Sequence, residues 1–186
     1  MDHLSAEELE AGLDDIRRSP VDAGTVELIV RRPAEGEREV IDEGTLDPVE
    51  GLVGDTWWAR GSGLTKDGSA HPDMQLTLMN ARVIALLAQD PERWPLGGDQ
   101  LYVDLDLSVD NLPPGTRLAL GTAAVEVTLQ PHTGCAKFSR RFGVEAARFV
   151  SSPVGKALRL RGVNTKVVEP GVVVRGDPVR KLRATS

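Results

Sequence analysis

The sequence predicts a mainly β protein with a few helices, folded as a closed or nearly closed mixed β-barrel. Apolar and β-branched residues occur in many brief runs, which is typical of short strands. The chain contains 19 Gly and 12 Pro, so it turns often. Closure of the sheet removes the exposed edges that many short strands otherwise leave. A doubly wound α/β sheet is the alternative, which the irregular order of strands and helices disfavours.

The N-terminal segment predicts one short amphipathic helix. Ser5 and Glu8 have the spacing of a capping box. Leucines recur after them at helical intervals, and Pro20 ends the pattern. We therefore divide the chain into a helical arm over residues 1–20 and a single barrel domain over residues 21–186.

The barrel domain is predicted to hold ten short strands. They are Val26–Val30, Glu39–Ile41, Gln75–Met79, Leu101–Leu107, Arg117–Leu120, Val125–Leu129, Leu158–Val163, Thr165–Val168, Val172–Val174 and Val179–Leu182. In the fourth, Leu101 and Val103 alternate with Tyr102 and Asp104, which predicts a strand with one buried face. In the sixth, the same alternation puts Leu129 on the buried side.

Two further helices and one long loop complete the pattern. Helical spacing of apolar residues predicts a helix near Asn80–Gln89, and another after residue 135 with Phe142, Ala146 and Phe149 on one face. Between these patterns, Gly61–His71 is polar and rich in Gly, which is typical of a mobile loop long enough to act as a lid.

Composition excludes several classes of protein. With 40% hydrophobic and 27% charged residues the chain resembles a soluble globular protein, and it lacks a secretory signal or membrane span, so we expect a cytoplasmic location. The net charge of −6 argues against nucleic-acid and membrane partners. The single cysteine, Cys135, excludes an intramolecular disulfide and an all-cysteine metal cage.

The charge is distributed unevenly along the chain. Residues 1–131 carry a net charge of −15 and residues 132–186 a net charge of +9. One interpretation is that the two halves attract each other across the fold. The other is that the basic half forms an anion-binding floor around Cys135.

Cys135 lies in the loop PHTGC, between a predicted strand and a predicted helix. Backbone N–H groups at such a junction favour anions, and the neighbouring His132 and Lys137 favour a thiolate over a thiol. Gly134 lets the backbone pass close to a bulky ligand. The alternative interpretation is that Cys135 is a small buried side chain without a chemical role.

The residues around this loop resemble the MOSC domain, named for the C-terminal domain of molybdenum-cofactor sulfurase. The resemblance runs from about Val26 to Leu182. It is carried by GTAAVEVTLQPHTGCAKFSRRFG and by the later segments LRLRGV, PGVVVRGD and VRKL. The earlier segments GLVGD, HPD and GGDQLYV also agree with elements of the family.

The resemblance implies a β-barrel whose functional cysteine corresponds to Cys135. In some relatives this cysteine ligates molybdenum held by a pyranopterin and serves the reduction of N-hydroxylated compounds; in others it is proposed to carry a persulfide. His132 stands where many relatives have Arg. Asp99 and Gln100 stand where many relatives have Glu and Asn.

From the resemblance and the chemistry of the residues we derive a candidate site. Cys135 is its metal ligand, and Cys135, His132, Asp99 and His71 are its catalytic residues. Arginine forks match phosphate oxygens, so the basic segment is expected to bind the cofactor's phosphate. The predicted cofactor-binding residues are Thr133, Gly134, Lys137, Arg140, Arg141, Gln100, Arg159 and Arg161, with Lys156 as a further candidate; Arg159 and Arg161 are expected to share one face of a strand.

Three functions are consistent with this sequence. The first is a molybdenum-cofactor protein that reduces a small N-hydroxylated substrate; the second is a persulfide carrier that delivers sulfur for cofactor or metal-sulfur-centre biosynthesis; the third is a non-catalytic binding module. The first two need a separate electron-donor or sulfur-donor protein, because one cysteine cannot hold an iron–sulfur cluster. Pyridoxal phosphate is not expected, and a homodimer is an open alternative.

Overall fold

A computed structural model describes residues 3–134 and 136–182, which form eleven strands and seven α-helices. The strands are β1 (Ala23–Arg31), β2 (Glu39–Ile41), β3 (Glu43–Asp47), β4 (Gly51–Leu52), β5 (Leu76–Asn80), β6 (Leu101–Asp104), β7 (Arg117–Leu120), β8 (Ala123–Val127), β9 (Val163–Glu169), β10 (Gly171–Val174) and β11 (Pro178–Lys181). The helices are α1 (Ala6–Ala11), α2 (Leu13–Arg17), α3 (Trp57–Arg60), α4 (Ala81–Ala88), α5 (Ala136–Phe142), α6 (Val144–Ser151) and α7 (Pro153–Ala157). Two 3-10 helices lie at Pro72–Met74 and Pro91–Gly97.

Seven strands close into a mixed barrel, as predicted. Their order is β11-β7-β8-β9-β5-β6-β1, and pairing of β1 with β11 closes the ring. The pairing of β5 with β6 is parallel and the other pairs of the ring are antiparallel. Strand β2 extends the sheet beside β1, and β10, β3 and β4 form a separate antiparallel sheet.

Strand β1 closes the barrel because it pairs with three different strands along its length. Its first residues pair with β11, its middle with β6 and its last residues with β2. A register shift between Val26 and Leu28 interrupts the pairing with β6. Such a bulge bends a strand and increases its twist, which a closed ring of short strands requires.

Two apolar clusters stabilise the fold. The first fills the barrel and includes Val26, Ile29, Leu101 and Val103. The second lies between the outer surface of the barrel and the helices. It contains Leu28 and Val30 of β1, Met79 of β5, Tyr102 of β6, and Leu9, Ile84, Phe138, Phe142 and Phe149 of the helices.

The prediction that β6 has one solvated face is wrong. Tyr102 is completely buried, because α4 and the 3-10 helix Pro91–Gly97 cover the outer face of the strand. The Tyr102 hydroxyl donates a hydrogen bond to the carbonyl of Trp94, at 2.8 Å. Alternation along β6 therefore separates two buried environments.

The predicted N-terminal helix is two helices. The capping box of Ser5 and Glu8 is present, but the helix ends at Gly12 and α2 begins after it. Gly12 packs closely, since a Cβ atom there would lie 2.4 Å from the Leu86 side chain. Leu9 and Ile16 are buried in the second cluster. The division into an arm and a barrel domain stays a prediction.

The predicted strand Leu158–Val163 is wrong. Ser152 caps α7 and Pro153 starts it, and the chain then turns until β9 begins at Val163. Arg159 and Gly162 have φ values of 49° and 101°, which a β-strand does not allow. Arg159 and Arg161 consequently do not share a strand face.

The end of β8 also differs from its prediction. The strand ends at Val127, and Leu129 is 83% exposed. The backbone leaves the sheet at Thr128, whose N–H donates to the carbonyl of Asn164 at 3.0 Å and whose hydroxyl donates to the carbonyl of Asp73 at 2.7 Å.

In the part of the chain that the structure describes, no helix has the length and apolar character needed to cross a membrane.

Candidate functional site

The loop of residues 128–134 connects β8 to α5 and is held by contacts on β9. Asn164 of β9 donates from Nδ2 to the carbonyl of Gln130 at 3.1 Å. Together with the bonds of Thr128, this contact fixes the start of the loop against the barrel. Cys135 lies outside the described residues, so its predicted role as metal ligand and catalytic residue stays a prediction.

His132, Asp99 and Arg161 form a buried network behind this loop. His132 Nε2 lies 2.8 Å from one carboxylate oxygen of Asp99, and Arg161 Nη1 donates to the other at 2.7 Å. The Asp99 side chain is completely buried, and those of His132 and Arg161 are 14% and 9% exposed. The structure thus joins three residues that the sequence analysis selected separately.

The network holds Asp99 ionised and His132 neutral. Burial alone opposes ionisation of Asp99, but Arg161 and His132 outweigh it and lower its pKa to about 2. Burial and the positive charge of Arg161 lower the pKa of His132 below its ordinary value, despite Asp99. A neutral ring that faces a carboxylate donates from Nε2–H, which leaves Nδ1 as the acceptor nitrogen.

We predict that the His132 imidazole titrates below about pH 6.5, the ordinary value for histidine. The reason is the burial and the Arg161 charge just described. Side-chain NMR spectra recorded against pH provide the measurement. The chain has three histidines, so a His132→Gln variant assigns the signal by its disappearance. A midpoint above about 6.5 would show instead that the Asp99 carboxylate dominates.

A cationic cleft of about 380 Å³ lies beside the loop. Its charged and loop residues are Arg32, Arg38, Arg60, Arg141, Arg161, Lys137, His132 and Thr133. Met74, Thr77, Gly97, Gly98, Pro131, Phe138 and Asn164 complete its lining. Five arginines and one lysine therefore line a single cavity.

Three buried polar atoms in the cleft lining have no hydrogen-bond partner among the described residues. They are Oδ1 of Asn164, Nε of Arg161 and Nε of Arg38. As whole residues, Asn164 and Arg161 are 1% and 7% exposed. The Arg161 guanidinium also stacks on the Phe138 ring at 4.9 Å from its centroid. Leaving such atoms unpaired costs about 1–3 kcal/mol each, which a polar group in the cleft would offset.

Arg32 and Arg141 are fixed in the cleft wall by bonds to the protein. Arg32 donates from Nε and Nη2 to the buried carboxylate of Asp55 at 2.8 and 2.7 Å. Arg141 of α5 donates from Nη1 to the carbonyl of Leu96 at 2.7 Å. Held in this way, both guanidinium groups remain in place before any anion binds.

Other predicted site residues lie outside the cleft lining. His71 caps the 3-10 helix Pro72–Met74, and its Nδ1 accepts from Asp73 N at 3.2 Å. Arg140 is exposed on α5. Gln100 is completely buried, and its Oε1 accepts from the N–H and hydroxyl of Thr77 at 2.9 and 2.7 Å. Gln100 therefore joins β5 to the start of β6.

Arg159 and Lys156 lie on the other side of the loop. They line a second pocket, of about 330 Å³, which also contacts His132, Thr133 and Arg161. Arg159 donates from Nη1 to the carbonyl of Leu112 at 2.6 Å. Loop 131–134 consequently separates two pockets, and the predicted phosphate-binding residues are divided between them. Gly134 is exposed and lines neither pocket.

Sequence analysis missed Arg32, Arg38, Arg60 and Asn164 as candidates. All but Asn164 come from the acidic half of the chain, where the net negative charge does not predict an anion-binding residue. Arg32 carried a signal, because it continues the alternation of Leu28 and Val30, whose face of β1 is buried. A charged residue in phase with buried apolar ones indicates a buried ion pair.

A metal site made only of described residues is not present. Within residues 3–134 and 136–182, no three His, Cys, Asp or Glu side chains are grouped so as to hold a metal ion.

Comparison with known proteins identifies the family. The MOSC domain matches residues 66–180, which is more than half of the chain. No curated protein matches the sequence. Among solved structures, the YuaD protein from Bacillus subtilis is similar with a TM-score of 0.63 and 17% identity, over 87% of this chain and 97% of that one. YiiM from Escherichia coli has a TM-score of 0.54 and 22% identity, over 87% of this chain and 71% of that one. YiiM from Geobacillus stearothermophilus has a TM-score of 0.53 and 15% identity, over 89% and 75%. These likenesses support the barrel fold. The match over residues 66–180 shows that the chain belongs to the MOSC domain family.

Proposed function

We propose that this protein binds a molybdenum cofactor of the pyranopterin type and reduces a small N-hydroxylated substrate. In this proposal the cofactor occupies the cationic cleft, and Cys135 ligates the metal. The observation that carries the proposal is the position of the cleft, which is lined by Thr133 and Lys137 on either side of Cys135.

The residues of the cleft fit this group in charge and in size. A pyranopterin carries a phosphate, and five arginines and a lysine face the cavity. Its volume of about 380 Å³ lies within the range of small-molecule sites. The unpaired Oδ1 of Asn164 offers an acceptor for a ring N–H group, and Nε of Arg161 offers a donor.

Within the cleft, residues of this chain would bind the cofactor's phosphate, orient its pterin and limit the access of water. Arg141 and Lys137 would hold the phosphate, and Asn164 would orient the pterin. The bound cofactor would supply a redox-active metal for the reduction. Phe138 and Met74 add apolar surface to the lining, which reduces the access of water.

Reduction of an N–OH group to N–H and water consumes two electrons and two protons. His132 would supply one of these protons, and solvent the other. Asp99 holds Nε2 in a hydrogen bond of 2.8 Å, so the ring has a fixed orientation and a defined tautomer. The remaining nitrogen, Nδ1, would accept a proton and release it toward the cleft. Arg161 keeps Asp99 ionised and so maintains this arrangement as the pH changes.

The cationic cleft favours a cofactor over a sulfur carrier. A persulfide on Cys135 needs an accessible thiolate, but it needs no cavity with six cations. Electrons for the proposed reduction would come from a separate donor protein, because one cysteine cannot ligate an iron–sulfur cluster.

Elemental analysis tests the proposal. Protein expressed with molybdate is expected to contain molybdenum, and Cys135→Ser is expected to contain at least tenfold less. Arg141→Gln should also lose molybdenum. Arg148→Gln removes the same charge from an exposed helix surface, where Arg148 pairs with Glu145, and should match the wild type. Absence of molybdenum from the wild type, or equal content in Cys135→Ser, would refute the proposal.

A further inference from the structure

Another cavity, distinct from the pocket beside Arg159, adjoins the cleft, and we call it the side pocket. Its volume is about 460 Å³, and it lies between residues 34–38 and helix α3. It is lined by Arg32, Ala34, Glu35, Gly36, Arg38, Thr56, Ala59, Arg60 and Lys137. The four basic residues also line the cleft, whereas the other five line only the side pocket. Loop 131–134 contributes nothing to its lining.

Two of the four cations in the side pocket have no carboxylate partner in the part of the chain that the structure describes. Arg32 is paired with Asp55, and Lys137 lies 3.3 Å from Glu35. The Glu35 and Lys137 side chains are 91% and 57% exposed, so an anion displaces this pair at little cost. Among the described residues, no carboxylate oxygen lies within 4.0 Å of the guanidinium groups of Arg38 or Arg60.

Arg38 donates from Nη1 to the backbone carbonyl of Glu37, and neighbouring cations repel both guanidinium groups. Burial lowers the pKa of Arg38, and the charges of Arg141 and Arg32 lower it further, against a smaller opposing effect of Asp55. Burial and the charge of Arg32 lower the pKa of Arg60, against smaller opposing effects of Asp55 and Glu35. Nε of Arg38 is buried and has no partner among the described residues. A bound anion relieves the repulsion and accepts this hydrogen bond.

We infer that the side pocket is an anion-binding site that takes the phosphate or carboxylate group of a small organic substrate. Its planar guanidinium donors suit either oxyanion, and its volume suits a small molecule. The shared basic residues connect it to the cleft, so a substrate anchored there extends toward the proposed cofactor. The identification of the anion as part of a substrate rests on the proposed function; the anion site itself does not.

Ala59 provides a test that separates charge from size. It lines only the side pocket and is exposed on α3, so a substitution there spares the core and the cleft. Ala59→Asp places a carboxylate beside Arg38 and Arg60, and Ala59→Asn places a neutral group of nearly equal size. Isothermal titration of the full chain with inorganic phosphate is expected to give at least tenfold weaker binding for Ala59→Asp than for Ala59→Asn. Equal binding by the two variants would overturn the inference.

Phosphate titrations of the protein with and without molybdenum distinguish a substrate group from the cofactor's phosphate as the bound anion. If the pocket holds a substrate group, the loaded protein binds phosphate as the molybdenum-free protein does, and Ala59→Asp retains its molybdenum. If loading blocks phosphate binding, or Ala59→Asp loses molybdenum, the pocket belongs to the cofactor and the substrate assignment is wrong. A wild type without molybdenum refutes the proposed function, while phosphate titration of that protein still decides whether the site exists.

Discussion

Replacing Asp99 by Asn is expected to lower the free energy of unfolding by about 3–5 kcal/mol. Asp99 is completely buried and is the carboxylate that accepts from both Arg161 and His132. Without the charge of Asp99, the buried Arg161 guanidinium loses its counter-charge and keeps only its bond to the Gly97 carbonyl among the described residues. For a chain of this length the loss corresponds to a fall in melting temperature of roughly 6–20 °C. Urea denaturation at pH 7 provides the measurement.

A surface pair supplies the control for Asp99. Glu145→Gln breaks the exposed contact with Arg148 and is expected to cost less than about 1 kcal/mol. If Asp99→Asn costs no more than this control, the buried network does not stabilise the fold as argued.

The contribution of Asp99 also depends on pH in a defined direction. Its pKa is about 2 in the folded protein, which is below the unfolded value of about 3.9. Its stabilising contribution is therefore fully present above about pH 4 and is lost as the pH falls toward 2. The Asp99→Asn variant should lack this component of the acid dependence.

Replacing Asp55 by Asn is the second change with a large expected effect, again about 3–5 kcal/mol. The Asp55 carboxylate accepts from the backbone N–H of Arg32 and Trp57 at 3.0 and 2.9 Å, besides its two bonds to the Arg32 side chain. An asparagine side chain cannot replace it, because its amide has one acceptor oxygen and its NH2 group is itself a donor. The Arg32 side chain, which is 11% exposed, would lose its counter-charge.

Arg31, which precedes Arg32, provides a matched control. It pairs with Glu39 at 2.7 Å, but these side chains are 32% and 47% exposed. Glu39→Gln is therefore expected to cost less than about 1 kcal/mol by chemical denaturation. Similar losses for Glu39→Gln and Asp55→Asn would contradict the difference in burial on which the prediction depends. Molybdenum content should fall only in Asp55→Asn, because Asp55 fixes Arg32 in the cleft wall.

Local patterns were sufficient to predict much of the barrel. Strands Arg117–Leu120 and Glu39–Ile41 have the predicted bounds, because alternation and flanking turns are local properties. The failure at Leu158–Val163 has a local cause as well. A Ser-Pro helix start and two residues with positive φ interrupt an apolar run that resembles a strand.

The site was predictable only in part. The loop around Cys135 was visible because a patterned strand, a glycine and basic residues follow one another. The cleft was not, because Arg32, Arg38 and Arg60 come from the half of the chain with net charge −15. A count of charges along the sequence does not show which of them the fold brings to one cavity.

By itself, the sequence determined the barrel class and the position of the cysteine loop, since both depend on residues that are neighbours in the chain. The tertiary structure alone decided the environment of that loop. Asp99 lies 33 residues from His132 and 62 residues from Arg161. Pairing of β6 with β5, of β5 with β9 and of β9 with β8 brings the ends of these strands, and with them the three residues, together. The physical reason is that burial in the closed fold turns three ordinary polar residues into a fixed network, and no local pattern encodes that burial.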